Sequence, residues 1–167
     1  MKTSNACTGF TLLEMLATIA ILAIIVTLAV PAMNDLNIRS RLKGSSEKLY
    51  ADIQLARSEA LKRNSDVILS IGASNACYGF DITASCDCLT SACLINTPVN
   101  DSITFTSSYT GTVNFGPRGK ITDATNSITS GTFTLTATNS TSVSLKLSGL
   151  GQLKLCSNTV SSYPNCS

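Results

Sequence analysis

The spacing of apolar residues divides the chain into a helical part and a β-rich part. From Leu12 to Val30 the residues are almost continuously apolar; a helix of this length would span about 28 Å, close to the hydrocarbon core of a bilayer. From Asn34 to about Arg63 the apolar positions recur every three, four or seven residues, which indicates an amphipathic helix, and Asn64 is a suitable C-terminal cap. The predicted buried stripe consists of Leu42, Leu49, Ile53, Ala56 and Ala60.

After Asp66 the period changes to two residues, which predicts antiparallel strands with one buried face. Between Ile121 and Leu147, 13 of 27 residues are Ser or Thr, and they alternate with apolar residues. The pattern therefore predicts an α+β fold, in which one long N-terminal helix packs on antiparallel β-sheets. The predicted strands are Val67–Ile71, Tyr78–Ile82, Ile103–Thr106, Thr112–Phe115, Gly131–Thr138, Ser142–Ser148 and Gln152–Cys156.

The positions of the leucines in the last two predicted strands indicate how these strands pair. A three-residue loop at positions 149–151 places Leu147 opposite Leu153 and keeps the leucines of both strands on one face. A two-residue loop would oppose Leu147 to Lys154 and spoil that face. The favoured register also sets Lys146 opposite Lys154, a like-charged pair that is unfavourable unless both splay into water or an anion lies between them.

The composition argues against an enzyme or a metal-binding protein. The chain is 44% hydrophobic and 13% charged, against a usual charged fraction of about 25%, and it has no His. Without His there is no Ser-His-Asp or Cys-His arrangement and no imidazole metal site. The carboxylates are dispersed, no phosphate-binding glycine loop is present and no C-x-x-C pair suggests zinc. We expect neither an enzyme nor a cofactor.

One carboxylate interrupts the apolar helix. Burying Glu14 in a membrane costs about 2.5–3.5 kcal/mol on insertion scales, so an acid at this position usually marks a function. Gly9, followed by Phe10-Thr11-Leu12-Leu13-Glu14 and a long apolar helix, resembles the class III signal of type IV prepilins and type II secretion pseudopilins. The resemblance implies that a prepilin peptidase cuts between Gly9 and Phe10 and methylates the new Phe10 amine, and that the helix is retained.

The same resemblance implies roles in filament assembly. Glu14 would pair with the free amino terminus of Phe10 in a neighbouring subunit; the alternative is that Glu14 only snorkels towards the cytoplasmic face. Pro31 removes a helix hydrogen bond, which predicts a helix break, although it could equally mark the end of the membrane span. The expected organisation is a leader at residues 1–9, a transmembrane and assembly helix at 10–33, its amphipathic continuation at 34–64, and a periplasmic β domain at 65–167.

The charges around the anchor conflict with this orientation. The leader carries one basic residue, Lys2, whereas Arg39, Arg41 and Lys43 follow the anchor. A positive-inside count would therefore place the C-terminal part in the cytoplasm. The prepilin resemblance and the cysteines imply the opposite: a single pass through the inner membrane, a periplasmic C-terminal domain, and an extracellular pilus after assembly.

Two further segments resemble the FimT/GspH family of minor pilins and pseudopilins. They are the helical segment Leu55–Asn64 (LARSEALKRN) and the strand and turn Asn114–Gly119 (NFGPRG). The resemblance implies a minor pilin that primes filament assembly near the tip of a type IV pilus, with other pilin subunits, the prepilin peptidase and the inner membrane as partners. Three alternatives stay open: a GspH-like pseudopilin of type II secretion, a FimT-like DNA-binding minor pilin of natural transformation, and a membrane-anchored periplasmic binding domain outside any filament.

The DNA alternative depends on basic residues near the last hairpin. FimT-type members carry a Gly-Arg-x-Arg element there, but the matching stretch Gly151–Lys154 (GQLK) lacks both arginines. Four phosphate contacts would give only weak, salt-sensitive binding, so a solvated rim is the simpler interpretation. The possible DNA contacts are Arg118, Lys120, Lys146 and Lys154.

The cysteines predict disulfides. The chain has seven, of which Cys7 lies in the leader, and an even number facing the periplasm favours bridges. The resemblance to the C-terminal loop of many type IV pilins implies a bond between Cys156 and Cys166. The pairing of the other four is open, except that Cys86 cannot easily bridge to Cys88; these four are Cys77, Cys86, Cys88 and Cys93.

Overall fold

The structure, a computed structural model, describes residues 10–72, 77–82, 84–90, 93–99, 102–109, 112–123 and 125–166. This part of the chain contains one helix and nine strands. The chain divides into two compact units, Met1–Asn37 and Ile38–Ser167. In the first unit the described structure is the start of the helix. The second unit holds the rest of the helix, all nine strands and the whole buried core.

The helix, α1, extends over Leu12–Arg63. Thr11 caps its N-terminus, because the Thr11 hydroxyl and carbonyl oxygens both accept from the Glu14 amide, at 3.2 and 3.1 Å. Asn64 ends it in the left-handed conformation with φ 49°, which confirms the predicted cap. Pro31 lies within the bounds of α1, and the helix break expected there remains a prediction.

The second half of α1 buries the predicted stripe. Its five apolar residues are each 0% exposed, and they share one core with both sheets. On the solvent side, Arg63 Nε donates to Glu59 Oε2 at 2.7 Å, and this hydrogen bond lowers the pKa of Glu59. The period of 3.6 residues thus separates a packed face from a charged one.

The strands form two antiparallel sheets, and the expected α+β architecture is confirmed. Sheet A has the order β3-β2-β1-β5-β6, formed by β1 (Val67–Ile71), β2 (Cys77–Asp81), β3 (Ile95–Pro98), β5 (Val113–Phe115) and β6 (Ile121–Asp123). Sheet B has the order β4-β7-β8-β9, formed by β4 (Ile103–Ser107), β7 (Gly131–Ala137), β8 (Ser142–Leu147) and β9 (Leu153–Cys156).

All seven predicted strands are present, with ends that differ by at most one residue. Two strands, β3 and β6, were not predicted. β3 is a short edge strand that contains Asn96 and Pro98, and both residue types are rare in strands. β6 has three residues and lies at the other edge of sheet A, so its period is too short to recognise.

The predicted register of the last hairpin is confirmed. Leu147 pairs with Leu153, and Lys146 pairs with Lys154. The loop closes through the Gly151 amide, which donates to the Ser148 carbonyl at 2.8 Å. Gly151 has a φ of 76°, a conformation that a residue with a Cβ adopts only with strain.

A row of aromatic rings joins the two sheets through the core. Phe80 lies 6.1 Å from Phe115 within sheet A, and Tyr78 lies 5.8 Å from Phe105 across the interface, measured between ring centroids. Phe105 stacks on Phe133 of sheet B at 5.9 Å. Because these residues alternate with polar ones along their strands, the two-residue period places every ring on the inner face.

Three disulfides stabilise two segments outside the sheets, the β2–β3 connection and the C-terminal tail. Cys77 bonds to Cys88, and Cys86 bonds to Cys93, so the two bridges cross in sequence. They fold the β2–β3 connection back over the outer face of sheet A, where a Cβ at Gly79 would collide with the Cys93 side chain. The third bridge joins Cys156 to Cys166 and ties the C-terminal tail to β9.

Candidate functional site

The N-terminal half of α1 exposes its apolar side chains. Among the described residues this is one helix long and apolar enough to cross a membrane, and none of its most apolar stretch is buried within the chain. Leu12 is 79% exposed and Leu28 is 71% exposed. In the part of the chain that the structure describes, these side chains have no cover, and apolar surface of this extent usually marks contact with a membrane or with other proteins.

Glu14 lies in the first turn of this helix. The positive end of the helix dipole favours a carboxylate there, and Thr11 with Glu14 has the spacing of a capping box. This local role was readable from the sequence but was not predicted. Phe10 precedes the helix and is 73% exposed. Gly9 and the rest of the leader lie outside the described residues, so the expected cleavage there remains a prediction.

The hydroxyl groups of the apolar helix are satisfied by its own backbone. Thr18 Oγ1 donates to the Met15 carbonyl at 2.9 Å, and Thr27 Oγ1 donates to the Ile24 carbonyl at 2.8 Å. Polar groups in lipid need such internal partners. Among the non-apolar side chains of Leu12–Ala29, Glu14 is the charged one, and it lies at the positive end of the helix dipole.

A second cluster lies where the C-terminal half of α1 meets both sheets. Arg57 Nη1 donates to the Gly151 carbonyl at 2.7 Å, and Arg57 Nε is buried without a partner among the described residues. A Cβ at Gly151 would lie 2.7 Å from the Gly119 carbonyl oxygen, and a Cβ at Gly119 would lie 3.2 Å from Arg57 Nη2. The guanidinium therefore packs between two glycine turns that both require a positive φ, and it joins the three segments.

The backbone also joins the β5–β6 turn to the β8–β9 hairpin. The Ile121 amide donates to the Gly149 carbonyl at 2.9 Å, and the Thr129 amide donates to the Ile121 carbonyl at 3.0 Å. The first bond connects the edge strand β6 of sheet A to the last hairpin of sheet B, and the second connects β6 to the segment that precedes β7. We call the surface formed by residues 117–121, 126–129 and 148–152 the β-domain tip.

The four candidate DNA contacts lie on or next to this tip. Arg118 and Lys120 are exposed in the β5–β6 turn, and Lys146 faces Lys154 on the two strands of the hairpin. Arg118 and Lys120 also line a cleft of about 310 Å³, together with Asp66 and Asn64 at the end of α1. The fold thus places cations from separate strands at one end of the β domain.

Asp52 is a charged residue whose role was missed from the sequence. Its Oδ2 accepts from the Tyr78 hydroxyl at 2.9 Å and from the Thr97 hydroxyl at 3.0 Å. Burial, followed by the charge of Asp52, raises the pKa of Tyr78 well above its usual value. The carboxylate thereby ties α1 to strands β2 and β3. Its partners are 26 and 45 residues away in sequence, so no local pattern indicates them.

The C-terminal tail forms another attachment to α1. The hydroxyl groups of Tyr163 and Ser46 lie 3.4 Å apart, and the Tyr163 hydroxyl donates to Glu47 Oε1 at 3.4 Å. Burial raises the pKa of Tyr163. Ser46 is fully buried and also donates to the Leu42 carbonyl at 3.0 Å. The tail therefore covers a polar spot on the packed face of α1.

Comparison with known proteins places this fold. A family model described as type II transport protein GspH matches residues 45–151, more than half of the chain. A model of the prokaryotic N-terminal methylation motif matches residues 4–30. No curated protein sequence matches the chain. The family predicted from the helical segment, the NFGPRG turn and the N-terminal motif is thus confirmed.

Solved structures similar to the chain include a type IV minor pilin and a minor pseudopilin of a type 2 secretion system. The type IV minor pilin FimU of Pseudomonas aeruginosa (strain PAO1) is 20% identical with a TM-score of 0.56, covering 68% of this chain and 91% of that one. A second crystal form of FimU gives a TM-score of 0.57 and coverages of 70% and 89%. The minor pseudopilin EpsH from the type 2 secretion system of Vibrio cholerae is 12% identical, with a TM-score of 0.54 and coverages of 70% and 97%. At these identities the likeness establishes the fold, and with the family match it leads to one conclusion: the chain belongs to the GspH family and has the fold of minor pilins and pseudopilins.

Proposed function

We propose that the chain is a minor structural subunit of a type IV pilus, that it acts in filament assembly near the tip, and that it is not an enzyme. One observation carries the proposal: a carboxylate lies in the first turn of a helix whose apolar side chains have no cover in the described part of the chain. The second half of that helix and the β domain share one core. In such a molecule the apolar helix would hold the subunit in the filament, and the β domain would lie on the filament surface.

The assembly step depends on Glu14. Cleavage between Gly9 and Phe10 would create an amine, which stays cationic when methylated. In an apolar environment this cation of one subunit and the carboxylate of its neighbour would neutralise each other and fix the axial register of the two helices. Removing one partner of a buried ion pair leaves an uncompensated charge and typically costs about 3–5 kcal/mol. The pair therefore favours one register over all others.

The three disulfides support an export route. Disulfides form in oxidising compartments, so a domain with three bridges fits the periplasm. The chain would insert through the inner membrane once, with its β domain outside, and would be processed by a prepilin peptidase on the cytoplasmic side. Pro31, 22 residues after the cleavage point, is placed to loosen α1 where it would leave the membrane.

The test replaces Glu14 while keeping its size. Glu14→Gln should reduce the amount of the chain in sheared filaments at least tenfold, while mass spectrometry still finds a cleaved, methylated Phe10. Glu47→Gln is the matched control, because this carboxylate is on the same helix but outside its apolar segment. Equal incorporation of both variants would favour a membrane-anchored domain outside any filament and would refute the proposal.

A deletion distinguishes the pilus from the secretion system. Cells that lack the gene should lose surface pili and keep normal secretion of exoproteins, and the wild-type gene should restore the pili. Loss of secretion with normal pili would instead identify a GspH-like pseudopilin of the type II system.

DNA binding is the second candidate function, and the grouping of four cations on and next to the β-domain tip favours it. Residues 38–167, which contain the whole core, should shift duplex DNA at low salt, and Lys120→Glu with Lys154→Glu should abolish the shift. Lys62→Glu, on the exposed face of α1, is the control. No shift by the wild-type protein at low salt would exclude this function.

A further inference from the structure

We propose that the β-domain tip is the docking surface for another subunit of the same filament, one that offers an apolar pocket bordered by carboxylates. The inserted group is Leu150, flanked by Ile128 and by the cations Arg118 and Lys120. This inference rests on the proposed function, because it takes the partner to be a filament subunit. It adds the surface and the chemistry of the contact.

Leu150 has no folding role that the structure reveals. It lies at the end of the β8–β9 hairpin and is 69% exposed, at a position where turns usually carry polar residues. Ile128 is 56% exposed and lies against Gly149, so closely that a Cβ there would collide with it. Two large aliphatic side chains thus emerge from adjoining segments. We take these two side chains as the apolar centre of the docking surface.

The tip is held rigidly before any partner arrives. Gly149 and Gly151, on either side of Leu150, are fixed by the Ile121 amide and the Arg57 guanidinium, at 2.9 and 2.7 Å. Neither glycine has room for a side chain, so the close packing of the tip depends on both. A preorganised loop loses little conformational entropy on binding, which is a feature of binding surfaces.

The charges around Leu150 define the partner. Lys120 is exposed and directly precedes Ile121, whose amide donates to the Gly149 carbonyl of the hairpin. Arg118 is exposed in the same turn. Asp123 Oδ1 accepts hydrogen bonds from Thr125 and Ser127 within its own turn, and Asp66 lines the cleft beside the two cations. The exposed cations next to Leu150 fit a partner with carboxylates.

The apolar centre favours a protein over DNA. A sugar-phosphate backbone would satisfy the cations but would leave Leu150 and Ile128 without contacts. Protein interfaces combine an apolar centre with a polar rim, and this is the arrangement at the tip. The cleft of about 310 Å³ next to the rim is large enough to admit an acidic side chain of the partner.

The experiment places a photoreactive residue in the full chain, in cells that assemble filaments. p-Benzoylphenylalanine replaces Leu150 in one strain and Leu89 in the control, because Leu89 is also a leucine, 59% exposed, on the disulfide-bonded loop. We expect irradiation at position 150 to give a crosslink to another pilin-type subunit at least fivefold stronger than at position 89. Adding Lys120→Glu should reduce the crosslink at least threefold, and Lys62→Glu should leave it unchanged.

The amount of the chain in sheared filaments from the same cells distinguishes a failure of the docking surface from a failure of the proposed function. If the chain is present in filaments but position 150 crosslinks no better than position 89, or crosslinks to DNA, the docking surface is refuted while the proposed function stands. If the chain is absent from filaments, the proposed function fails and this inference fails with it. Both sites of substitution are exposed, and non-reducing electrophoresis checks that the three disulfides have formed.

Discussion

Removing the disulfide between Cys156 and Cys166 should destabilise the β domain by an amount that its loop length predicts. The bond closes a loop with a sequence separation of 10. The chain-entropy relation for such a loop gives about 2.7 kcal/mol at 25 °C, because the open chain gains conformational freedom mainly when unfolded. For a domain of this size, that loss corresponds to a fall in melting temperature of about 10 °C.

The structure indicates why the loss should not be larger. The Tyr163 hydroxyl lies 3.4 Å from both Ser46 Oγ and Glu47 Oε1, which is long for a hydrogen bond. The Ser157 amide donates to the Pro164 carbonyl at 2.9 Å, a contact that the open tail can form only at an entropic cost. The covalent bond should therefore supply most of the stabilisation.

The assay is urea unfolding of residues 38–167 with Cys156→Ala and Cys166→Ala, compared with the unchanged sequence. Tyr163→Phe is the control, since it keeps the disulfide and removes only the two long hydrogen bonds; its expected cost is below about 0.5 kcal/mol. A loss below about 1 kcal/mol in the double variant, or a larger loss in Tyr163→Phe, would show that noncovalent contacts hold the tail and would refute the reasoning.

Three further outcomes follow from the core and its polar contacts. Arg57→Ala should cost about 2 kcal/mol in urea unfolding, because it removes a charge-assisted hydrogen bond to Gly151, and Arg57→Lys should recover only part of it. Ile53→Ala should cost about 2–5 kcal/mol in the same assay, since Ile53 is 0% exposed. Above about pH 10 the domain should lose stability, because a Tyr78 pKa raised by burial makes ionisation unfavourable in the folded state. Tyr78→Phe should reduce the difference between urea midpoints at pH 8 and pH 11, and an unchanged difference would contradict this assignment.

Features that follow from the repeat of apolar residues within one helix or one hairpin could be predicted from the sequence. The stripe that includes Leu42 and Ala60 follows from the helical repeat, and the pairing of Leu147 with Leu153 follows from the need to keep one face of a hairpin apolar. The capping box of Thr11 and Glu14 was equally readable from its spacing, although it was overlooked.

Features that depend on pairing between distant segments were not readable. Arg57 and Gly151 are 94 residues apart, and only the stacking of α1 against both sheets brings them together. The crossed pairing of the four cysteines between Cys77 and Cys93 follows from how their loop lies on sheet A, whereas the spacing allows several pairings. The exposure of Leu150 was hidden for a similar reason, because a leucine in sequence gives no sign of its burial.

The two attachments of sheet B to α1 have a mechanical consequence. The tail meets the helix at Ser46, and the last hairpin meets it at Arg57, about 16 Å further along the axis at ~1.5 Å per residue. A pull along α1 therefore reaches the β domain at two points on the helix, and mainly at Arg57, because the tail contact at Ser46 is long. In a subunit held by its N-terminal helix, the β domain would resist traction as one body.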